Sequence, residues 1–378
     1  MPSLRPRAAT ALRLARVLLA ARKKKLLLLA AHGGRLTGNA LGLAHAAQQS
    51  PDFLPVFLGA QAPPLEIPWF PSHSRPAQIL WERAFAVAYT TFHRYDFALG
   101  EPRGLRLFLW HGMPIKGIGK FDRHAAEQIR EDCDFAVATS ELTAGIMASS
   151  FELPREKFLL TGEPKTDALP ASAWMSALRQ RHRKIVAWLP TWREKFAEVR
   201  GEKRLVGDDE AMLGFVRRLT GDGRLKELLV RHDAAFVLRM HTLNSAAAPP
   251  IEPPFYRMDG ADGEAVHLLE AANAIVADYS SLAIDALLFD RPLALWCEDF
   301  AVYTAQRALP YFDFRETFGW ALQPSLDDLV GWLAARLEGA PVSEAVSSAA
   351  EHCRRLFHQH PRGGAGARLL AAIRGRLP

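Results

Sequence analysis

LRLFLWHG, residues 105–112, is the stretch that decides the fold of this chain. Its first six residues are apolar except for Arg106, and His111 and Gly112 follow them directly. A short run that stays apolar, without alternating polar residues, is typical of a strand buried on both faces of a parallel sheet. In such sheets, ligands bind beyond the carboxyl ends of the strands. His111 therefore stands where a functional residue is expected.

Similar runs recur along the chain, separated by segments with the pattern of helices. In the first half we expect strands over residues 26–30, 55–59, 97–99, 105–110, 133–139 and 158–161, with a helix over 81–89. In the second half we expect strands over residues 185–189, 235–240, 274–277 and 293–296. Two successive series of alternating strands and helices indicate two parallel sheets covered on both faces. The predicted fold is α/β and GT-B-like, with two Rossmann-like domains whose parallel sheets face a central cleft.

The expected domain boundary is a change of composition over residues 169–182, LPASAWMSALRQRH. We expect the first Rossmann-like domain over residues 26–168, a linker over 169–182 and the second domain over 183–378. The 378 residues are 49% apolar and 23% charged, which excludes a mainly disordered, collagen-like or coiled-coil protein. Three cysteines without a C-x-x-C pair argue against a disulfide framework and favour a reducing compartment.

Residues 1–25 contain eight Lys or Arg residues and no acidic residue. In a helix, Leu14, Val17 and Leu18 would share one face, while the arginines lie toward another. Such a short basic amphipathic helix is suited to lie on an anionic membrane surface. The alternative is a solvated helix that packs on the first domain through its leucines. No apolar run reaches the roughly 18 residues that a transmembrane helix needs.

Other polar residues stand at strand ends in the second half. Arg193 follows one predicted strand, and Arg239, Met240 and His241 end another. A guanidinium suits phosphate because its planar fork donates two parallel hydrogen bonds, although Arg193 could instead lie over Trp192. His241 by itself is equally well a structural histidine.

The segment ADYSSLAID, residues 277–285, passes from a strand into a helix. Ser280 and Ser281 would present hydroxyls and free backbone amides at the helix N-terminus, which favours an anion. Asp285 lies about one turn further on, within reach of a ribose hydroxyl. The alternative is an ordinary N-cap and helix start.

Motifs of other enzyme classes are missing from the sequence. It contains no P-loop, no H-E-x-x-H and no G-x-S-x-G. His352, Cys353, His358 and His360 lie close together in the sequence, but their spacing matches no paired zinc-ligand pattern. We therefore expect no metal site.

Taken in order, seven segments resemble the CDP-glycerol glycerophosphotransferase family, the teichoic-acid primases and polymerases. The segments are HGGRLTGN (32–39), LFLWHGMPIKGIG (107–119), CDFAVATSE (133–141), FLLTGEPKTD (158–167), WLPTWRE (188–194), LRMH (238–241) and ADYSSLAIDALLFDRPLAL (277–295). The sequence departs from the family pattern at Met113 in place of threonine, Lys165 in place of arginine, Thr242 in place of proline, and Arg307-Ala308 in place of Arg-Gly. These changes retain the histidines and the cationic side chains.

The resemblance implies that an acceptor hydroxyl attacks the β-phosphate of a CDP-polyol and that CMP leaves. It implies His111 as the general base, and His241 with Arg193 and Lys165 on the diphosphate. Asp285 would meet ribose or glycerol hydroxyls. The full set of implied donor-binding residues is Gly112, Met113, Pro114, Ile115, Lys165, Arg193, Arg239, Met240, Ser280, Ser281, Leu282 and Asp285. No cofactor is implied besides the donor, CDP-glycerol or CDP-ribitol.

The implied partners are a lipid-linked glycan acceptor and an anionic membrane surface, and the implied location is peripheral, on the cytoplasmic face of the cell membrane. The product would be a teichoic-acid-like or capsular polymer, and the chain length favours a primase-like enzyme. One alternative is a GT-B glycosyltransferase with a nucleotide-sugar donor. Another is a non-catalytic module that binds polyanions or lipid. Nucleic acid is not expected, because the basic residues lack interleaved aromatics.

Overall fold

The structure, a computed structural model, describes residues 4–90, 102–121, 133–191, 193–199, 202–240, 251–306 and 311–376. The chain forms two compact units. Unit 1 comprises Met1–His111, Arg130–Leu169 and Gln359–Pro378. Unit 2 comprises Gly112–Ile129 and Pro170–His358. Each unit is built on one parallel sheet, which confirms the prediction of an α/β chain with two Rossmann-like domains.

The elements follow one another as alternating strands and helices. The strands are β1 (Lys25–Ala30), β2 (Phe53–Gly59), β3 (Trp69–Pro71), β4 (Ala86–Tyr89), β5 (Leu105–Phe108), β6 (Phe135–Ala138), β7 (Phe158–Leu160), β8 (Lys184–Leu189), β9 (Glu194–Val199), β10 (Glu202–Gly207), β11 (Ala234–Leu238), β12 (Phe255–Arg257), β13 (Ala274–Ala277), β14 (Leu293–Trp296) and β15 (Leu322–Gln323). The helices are α1 (Leu4–Ala20), α2 (Gly38–Gln49), α3 (Arg75–Trp81), α4 (Glu141–Phe151), α5 (Ala173–Arg181), α6 (Asp209–Gly221), α7 (Gly223–Arg231), α8 (Ala265–Ala271), α9 (Ser281–Ala286), α10 (Phe300–Gln306), α11 (Phe314–Phe318), α12 (Leu326–Leu337), α13 (Glu344–Phe357) and α14 (Ala365–Arg374).

The sheet of unit 1 has the strand order β3-β2-β1-β4-β5-β6-β7. β1 lies inside this sheet, paired in parallel with β2 and β4, and its residues 26–30 are all buried. The helix predicted over residues 81–89 is wrong, because residues 86–89 form the buried strand β4. An apolar segment this short has no periodicity that separates a buried strand from a helix. The strand predicted over residues 97–99 lies outside the described residues.

The C-terminal helix α14 belongs to unit 1 and not to the second domain, where we expected residues 183–378. Leu369, Leu370 and Ile373 are buried in the same hydrophobic core as Leu27 of β1. The carboxylate of Asp167 accepts hydrogen bonds from the backbone amides of Ala365, at 2.9 Å, and Gly366, at 2.8 Å. These bonds satisfy amides of the first helical turn, which have no partner within the helix.

The sheet of unit 2 has the strand order β12-β11-β8-β13-β14-β15. Its core contains a group of packed aromatic rings, in which the ring of Trp296 lies 5.6 Å from that of Trp188 and 5.3 Å from that of Phe215. β9 and β10 form a separate antiparallel pair that the sequence analysis did not predict.

The segment expected as a linker, residues 169–182, is largely a packed part of unit 2. α5 lies within it, and the Ser172 hydroxyl caps this helix by accepting a hydrogen bond from the Met175 amide at 3.1 Å. The same hydroxyl donates to the carbonyl oxygen of Asp262. The chain passes from unit 1 to unit 2 between Leu169 and Pro170.

The basic helix α1 packs on unit 1 through the face that carries Leu14, Val17 and Leu18. Val17 is 3% exposed, and the other two side chains are half-buried. Leu12 and Leu19 remain exposed. Within the described residues, no helix is both long enough and apolar enough to span a membrane.

Replacing Asp167 by alanine should loosen the attachment of α14 to unit 1. Two backbone amides at the helix start would lose their acceptor, and losses of this kind cost about 0.5–2 kcal/mol. Urea unfolding measures this change in the free energy of unfolding. Glu344→Ala removes a carboxylate from the exposed first turn of α13, and should stay within about 0.5 kcal/mol of the wild type. Equal effects of the two variants would contradict this role of Asp167.

Candidate functional site

The His111 loop follows β5 in unit 1. Trp110, 8% exposed, has φ of 53°, in the left-handed region that a bulky side chain rarely adopts. Such a conformation costs about 1–3 kcal/mol and is frequent at functional sites. Trp110 is followed in the chain by His111, whose side chain is exposed.

The imidazole of His111 is held from two sides. Its ring lies on the Trp110 ring, with centroids 3.9 Å apart. Its Nδ1 lies 3.3 Å from the carbonyl oxygen of Thr90. With Nδ1–H as the donor of that bond, Nε2 is left as a proton acceptor. In this tautomer the imidazole can accept a proton, as a general base does.

Asn39 connects the His111 loop to the start of α2 and to a third segment, residues 163–165. It is fully buried. Its Nδ2 lies 3.0 Å from the Leu109 carbonyl oxygen, 3.1 Å from that of Trp110, and 2.8 Å from Oε1 of Glu163. Its Oδ1 accepts a hydrogen bond from the Lys165 amide at 3.1 Å. One buried amide thus joins three separate segments of the chain.

Glu163 and Lys165 complete this side of the site. Glu163 is 1% exposed, and its Oε2 lies 3.3 Å from Nζ of Lys165, which compensates its charge. The same Nζ lies 3.4 Å from the carbonyl oxygen of His111. The structure therefore brings together His111 and Lys165, both predicted as site residues, and adds Asn39 and Glu163, which were quoted only within motifs.

In unit 2, polar side chains follow three adjacent strands of the sheet. Thr191 lies beyond β8, Asp278 directly follows β13, and Asp299 lies beyond β14. The Asp278 carboxylate accepts hydrogen bonds from the Thr191 amide at 2.9 and 3.0 Å, and from its hydroxyl. This matches the expectation that strand ends carry the polar groups.

Arg193 is bound between two of these carboxylates and is only 6% exposed. Its Nη1 lies 2.7 Å from Oδ2 of Asp278, and its Nε lies 2.7 Å from Oδ2 of Asp299. Burial by itself would lower the pKa of the guanidinium, but the two carboxylates overcome this and hold it above its ordinary value. The predicted contact of Arg193 with phosphate would have to compete with both carboxylates.

Tyr279 contacts the cluster formed by Arg193, Asp278 and Asp299. Its hydroxyl donates to Oδ1 of Asp299 at 3.1 Å, and its ring stacks on that of Tyr303 with centroids 3.9 Å apart. Burial raises the pKa of this phenol, and the neighbouring acidic groups raise it further. Burial likewise raises the pKa of Cys297, which keeps this thiol protonated and unreactive.

The helix α9 carries the other predicted residues of unit 2. Ser280 is its N-cap and accepts a hydrogen bond from the Leu282 amide at 3.2 Å, while Ser281 is half-buried. Asp285 is 1% exposed. Residues 283–286 of this six-residue helix are all buried, and the contact of Asp285 with a donor hydroxyl stays a prediction.

Five further residues that the resemblance implies as donor-binding are buried. Met113 is fully buried, Ile115 is 2% exposed, and Gly112 and Pro114 are also buried. Met240 is buried too, at 9% exposed.

Arg239 donates from Nη1 to the carbonyl oxygen of Gly263 at 2.7 Å. Burial lowers the pKa of its guanidinium, against the opposing effect of nearby acids. His241, the second predicted catalytic residue, lies outside the described residues.

Two of the histidines near the C-terminus, His358 and His360, have structural partners. His358 Nε2 lies 2.8 Å from the carbonyl oxygen of Ile284, and His360 Nε2 lies 2.8 Å from that of Leu160. Cys353 donates to the Thr317 carbonyl oxygen at 3.1 Å. Among the side chains that the structure describes, no group of three or more His, Cys, Asp or Glu is arranged to hold a metal ion.

Sequence reasoning missed Asn39, Glu163, Asp278 and Asp299 as site residues. Three of them stand inside segments quoted for the resemblance, at the end of HGGRLTGN, within GEPKTD and at the start of ADYSS. For Glu163, Asp278 and Asp299, the available signal was a polar residue shortly after a predicted strand. The contacts of Asn39 with Leu109 and Lys165, and of Asp278 with Arg193, join positions 70 to 126 residues apart, so no local pattern indicates them.

Comparison with known proteins gives concordant matches. The family model described as CDP-Glycerol:Poly(glycerophosphate) glycerophosphotransferase matches residues 12–374. A teichoic acid glycerol-phosphate transferase of Staphylococcus aureus is 24% identical over 246 residues, covering 58% of this chain and 59% of the relative. A teichoic acid glycerol-phosphate primase of Bacillus spizizenii is 24% identical over 286 residues, covering 70% of this chain and 67% of the relative. The match thus spans 59% of the length of the first of these relatives.

Solved structures resemble the chain over nearly its full length. The wall teichoic acid polymerase TagF aligns with a TM-score of 0.74 at 16% identity, over 96% of both chains. A TagF variant soaked with CDPG aligns with a TM-score of 0.72 at 15% identity, over 98% of both chains. At these identities the likeness establishes the fold. Because the family model matches almost the whole chain, the protein belongs to the CDP-glycerol:poly(glycerophosphate) glycerophosphotransferase family.

Proposed function

We propose that this protein transfers a polyol phosphate, glycerol phosphate in the first instance, from a CDP-polyol to an acceptor hydroxyl and releases CMP. The observation that carries the proposal is the His111 loop. An exposed imidazole is oriented there by a backbone carbonyl and a tryptophan ring, and the Nζ of Lys165 lies 3.4 Å from the backbone carbonyl oxygen of His111. Family membership supports the same reaction class.

In the proposed reaction, Nε2 of His111 takes the proton of the acceptor hydroxyl. The acceptor oxygen then forms a bond to the β-phosphorus of the donor. The bond from that phosphorus to the bridging oxygen breaks, and CMP leaves with the electron pair. A positioned base of this kind contributes about 10²–10⁴-fold to the rate.

Lys165 supplies positive charge beside the backbone of His111. Its side chain is 12% exposed, and its Nζ lies next to the His111 carbonyl, so it is placed to meet a phosphate oxygen. Ser280 and Ser281 remain proposed phosphate contacts, as does His241. For Arg193 we propose a different role from the predicted one, the organisation of Thr191, Asp278 and Asp299 at the strand ends.

The first test is CMP release from CDP-glycerol and from CDP-ribitol, each with a short lipid-linked disaccharide as acceptor. We expect CMP, and an acceptor that gains one or more polyol phosphates. His111→Ala should lower kcat about 10²–10⁴-fold, since the base is removed. His73→Ala removes an exposed histidine elsewhere on unit 1 and should leave the rate unchanged. Full activity of His111→Ala would refute the assignment of the base.

The products of this assay also distinguish the alternatives. Addition of one polyol phosphate indicates a primase, and a ladder of masses indicates a polymerase. Turnover of a nucleotide sugar without turnover of either CDP-polyol would favour a GT-B glycosyltransferase. Binding of lipid or polyanion without any turnover would favour a non-catalytic module.

For the acceptor we propose a lipid-linked glycan, met at an anionic membrane surface on the cytoplasmic side. The support is the outer face of α1, where Leu12 is 55% and Leu19 is 65% exposed. Arg16 lies between them on the same face, at helical spacing, and is also exposed. Exposed leucines flanked by cationic side chains are typical of helices that lie in a membrane interface.

The membrane contact is tested by co-sedimentation with phosphatidylcholine vesicles, with and without phosphatidylglycerol. We expect binding only with the anionic lipid, weakened by salt. Leu12→Ser with Leu19→Ser should weaken it more than tenfold, because burying each leucine contributes about 1.5–3 kcal/mol. Val230→Ser, at a 65% exposed position of unit 2, is the matched control. Unchanged binding of the double variant would contradict this surface.

A third measurement separates the two roles of Arg193. If it organises the strand ends, Arg193→Met should lower the free energy of unfolding by about 3–5 kcal/mol, because two buried carboxylates lose their partner. Arg217→Met removes an exposed ion pair and should cost at most about 1 kcal/mol. Unchanged stability together with a raised KM for the donor would instead support the phosphate contact predicted from the sequence.

A further inference from the structure

We propose that Asn39 and Glu163 are positioning residues, which hold the Trp110 backbone in its left-handed conformation and thereby aim His111. This inference rests on the proposed function, in which His111 is the base. Neither residue is exposed, so neither touches a reacting atom. Their effect acts through the peptide bond that joins Trp110 to His111.

The peptide bond between Trp110 and His111 transmits the effect of Asn39. The Trp110 carbonyl and the His111 amide belong to one rigid plane, so fixing that carbonyl fixes where the His111 backbone begins. Trp110 has φ of 53°, a conformation that persists only when its surroundings enforce it. The Asn39 Nδ2 lies 3.1 Å from this carbonyl oxygen and 3.0 Å from that of Leu109. The side-chain amide of Asn39 therefore contacts the backbone carbonyls before and after the Cα of Trp110.

The orientation of the Asn39 side-chain amide is fixed by its neighbours. Asn39 can present either its nitrogen or its oxygen to the two carbonyls, and only the nitrogen donates. Oε1 of Glu163 lies 2.8 Å from Nδ2, and the Lys165 backbone amide donates to Oδ1 at 3.1 Å. An acceptor on one side and a donor on the other leave the amide with one favourable orientation.

The negative charge of Glu163 is compensated by Lys165. The carboxylate of Glu163 is buried and therefore needs compensation. Nζ of Lys165 lies 3.3 Å from its Oε2. The backbone amide of the same lysine holds Asn39, and its Nζ lies 3.4 Å from the His111 carbonyl oxygen. Lys165 thus ties the amide, the carboxylate and the His111 loop together.

The test is Asn39→Asp, which keeps the shape of the side chain and replaces the donor by an oxygen. That oxygen would face two carbonyls and the Glu163 carboxylate. We expect kcat to fall about 10²-fold, the size expected when a reacting group is misplaced by about 1 Å. KM for CDP-glycerol should stay within about twofold, because Asn39 touches no substrate in the proposal. Asn273→Asp makes the same change in unit 2, where the retained oxygen accepts from Ile185, and should leave kcat unchanged.

A second variant separates positioning from folding. In Asn39→Asp combined with Glu163→Gln, the new amide donates to the new carboxylate and restores that hydrogen bond with its direction reversed. The two carbonyls still lack their donor. We expect a melting temperature above that of Asn39→Asp alone, because the hydrogen bond between positions 39 and 163 is restored, with kcat still low. Recovery of kcat in the double variant would overturn the proposal.

A measurement without turnover distinguishes failure of this inference from failure of the proposed function. The His111 ring lies on the Trp110 ring, so its proton resonances carry a ring-current shift, identified by comparison with His111→Ala. We expect Asn39→Asp to change that shift and Asn273→Asp to leave it unchanged. An unaltered shift and an unaltered kcat would overturn the positioning role. Absence of CMP release by the wild type would overturn the proposed function, and the resonance would still report the positioning.

Discussion

Burial of both faces of two parallel sheets is the constraint on which the rest of this structure depends. Side chains in the middle of a central strand are mostly apolar, because a polar group there loses its hydration and needs a partner, as Arg106 of β5 has in Asp134. All residues of β13, and all residues of β1 and β8 after the first, are accordingly buried. Polar side chains occur beyond the strand ends, where His111, Thr191 and Asp278 lie. The position of candidate chemistry is therefore a consequence of packing.

The two units satisfy their buried polar groups in different ways. Unit 1 combines a neutral amide, Asn39, which contacts two backbone carbonyls and accepts from one backbone amide, with the buried carboxylate of Glu163 paired with Lys165. Unit 2 uses charge, with Arg193 between Asp278 and Asp299. A buried charge is stable only while its partners remain, so this cluster is a rigid part of the strand ends. The amide leaves the neighbouring imidazole exposed, which suits a group that exchanges protons.

Both termini extend the first unit. The helix α1 packs through Val17 and leaves two leucines exposed, while α14 joins the core that contains β1. A carboxylate from the middle of the chain, Asp167, holds the start of α14. Unit 1 therefore includes segments from both ends of the chain. It is one compact unit in space, although it is made of three separate stretches of sequence.

The sequence by itself determined the fold class, most of the strands of the two parallel sheets and the candidate base. Apolar runs such as residues 26–30 and 107–110 require burial on both faces, and a histidine directly after one of them must lie at the sheet edge. The tertiary structure decided which polar groups meet. The contacts of Asn39 with Glu163 and of Arg193 with Asp278 join positions 124 and 85 residues apart. It also decided that β4 is a strand and that α14 joins unit 1. The physical reason is that local periodicity reports how much of a segment is buried, whereas hydrogen bonds and ion pairs depend on what the rest of the fold brings beside it.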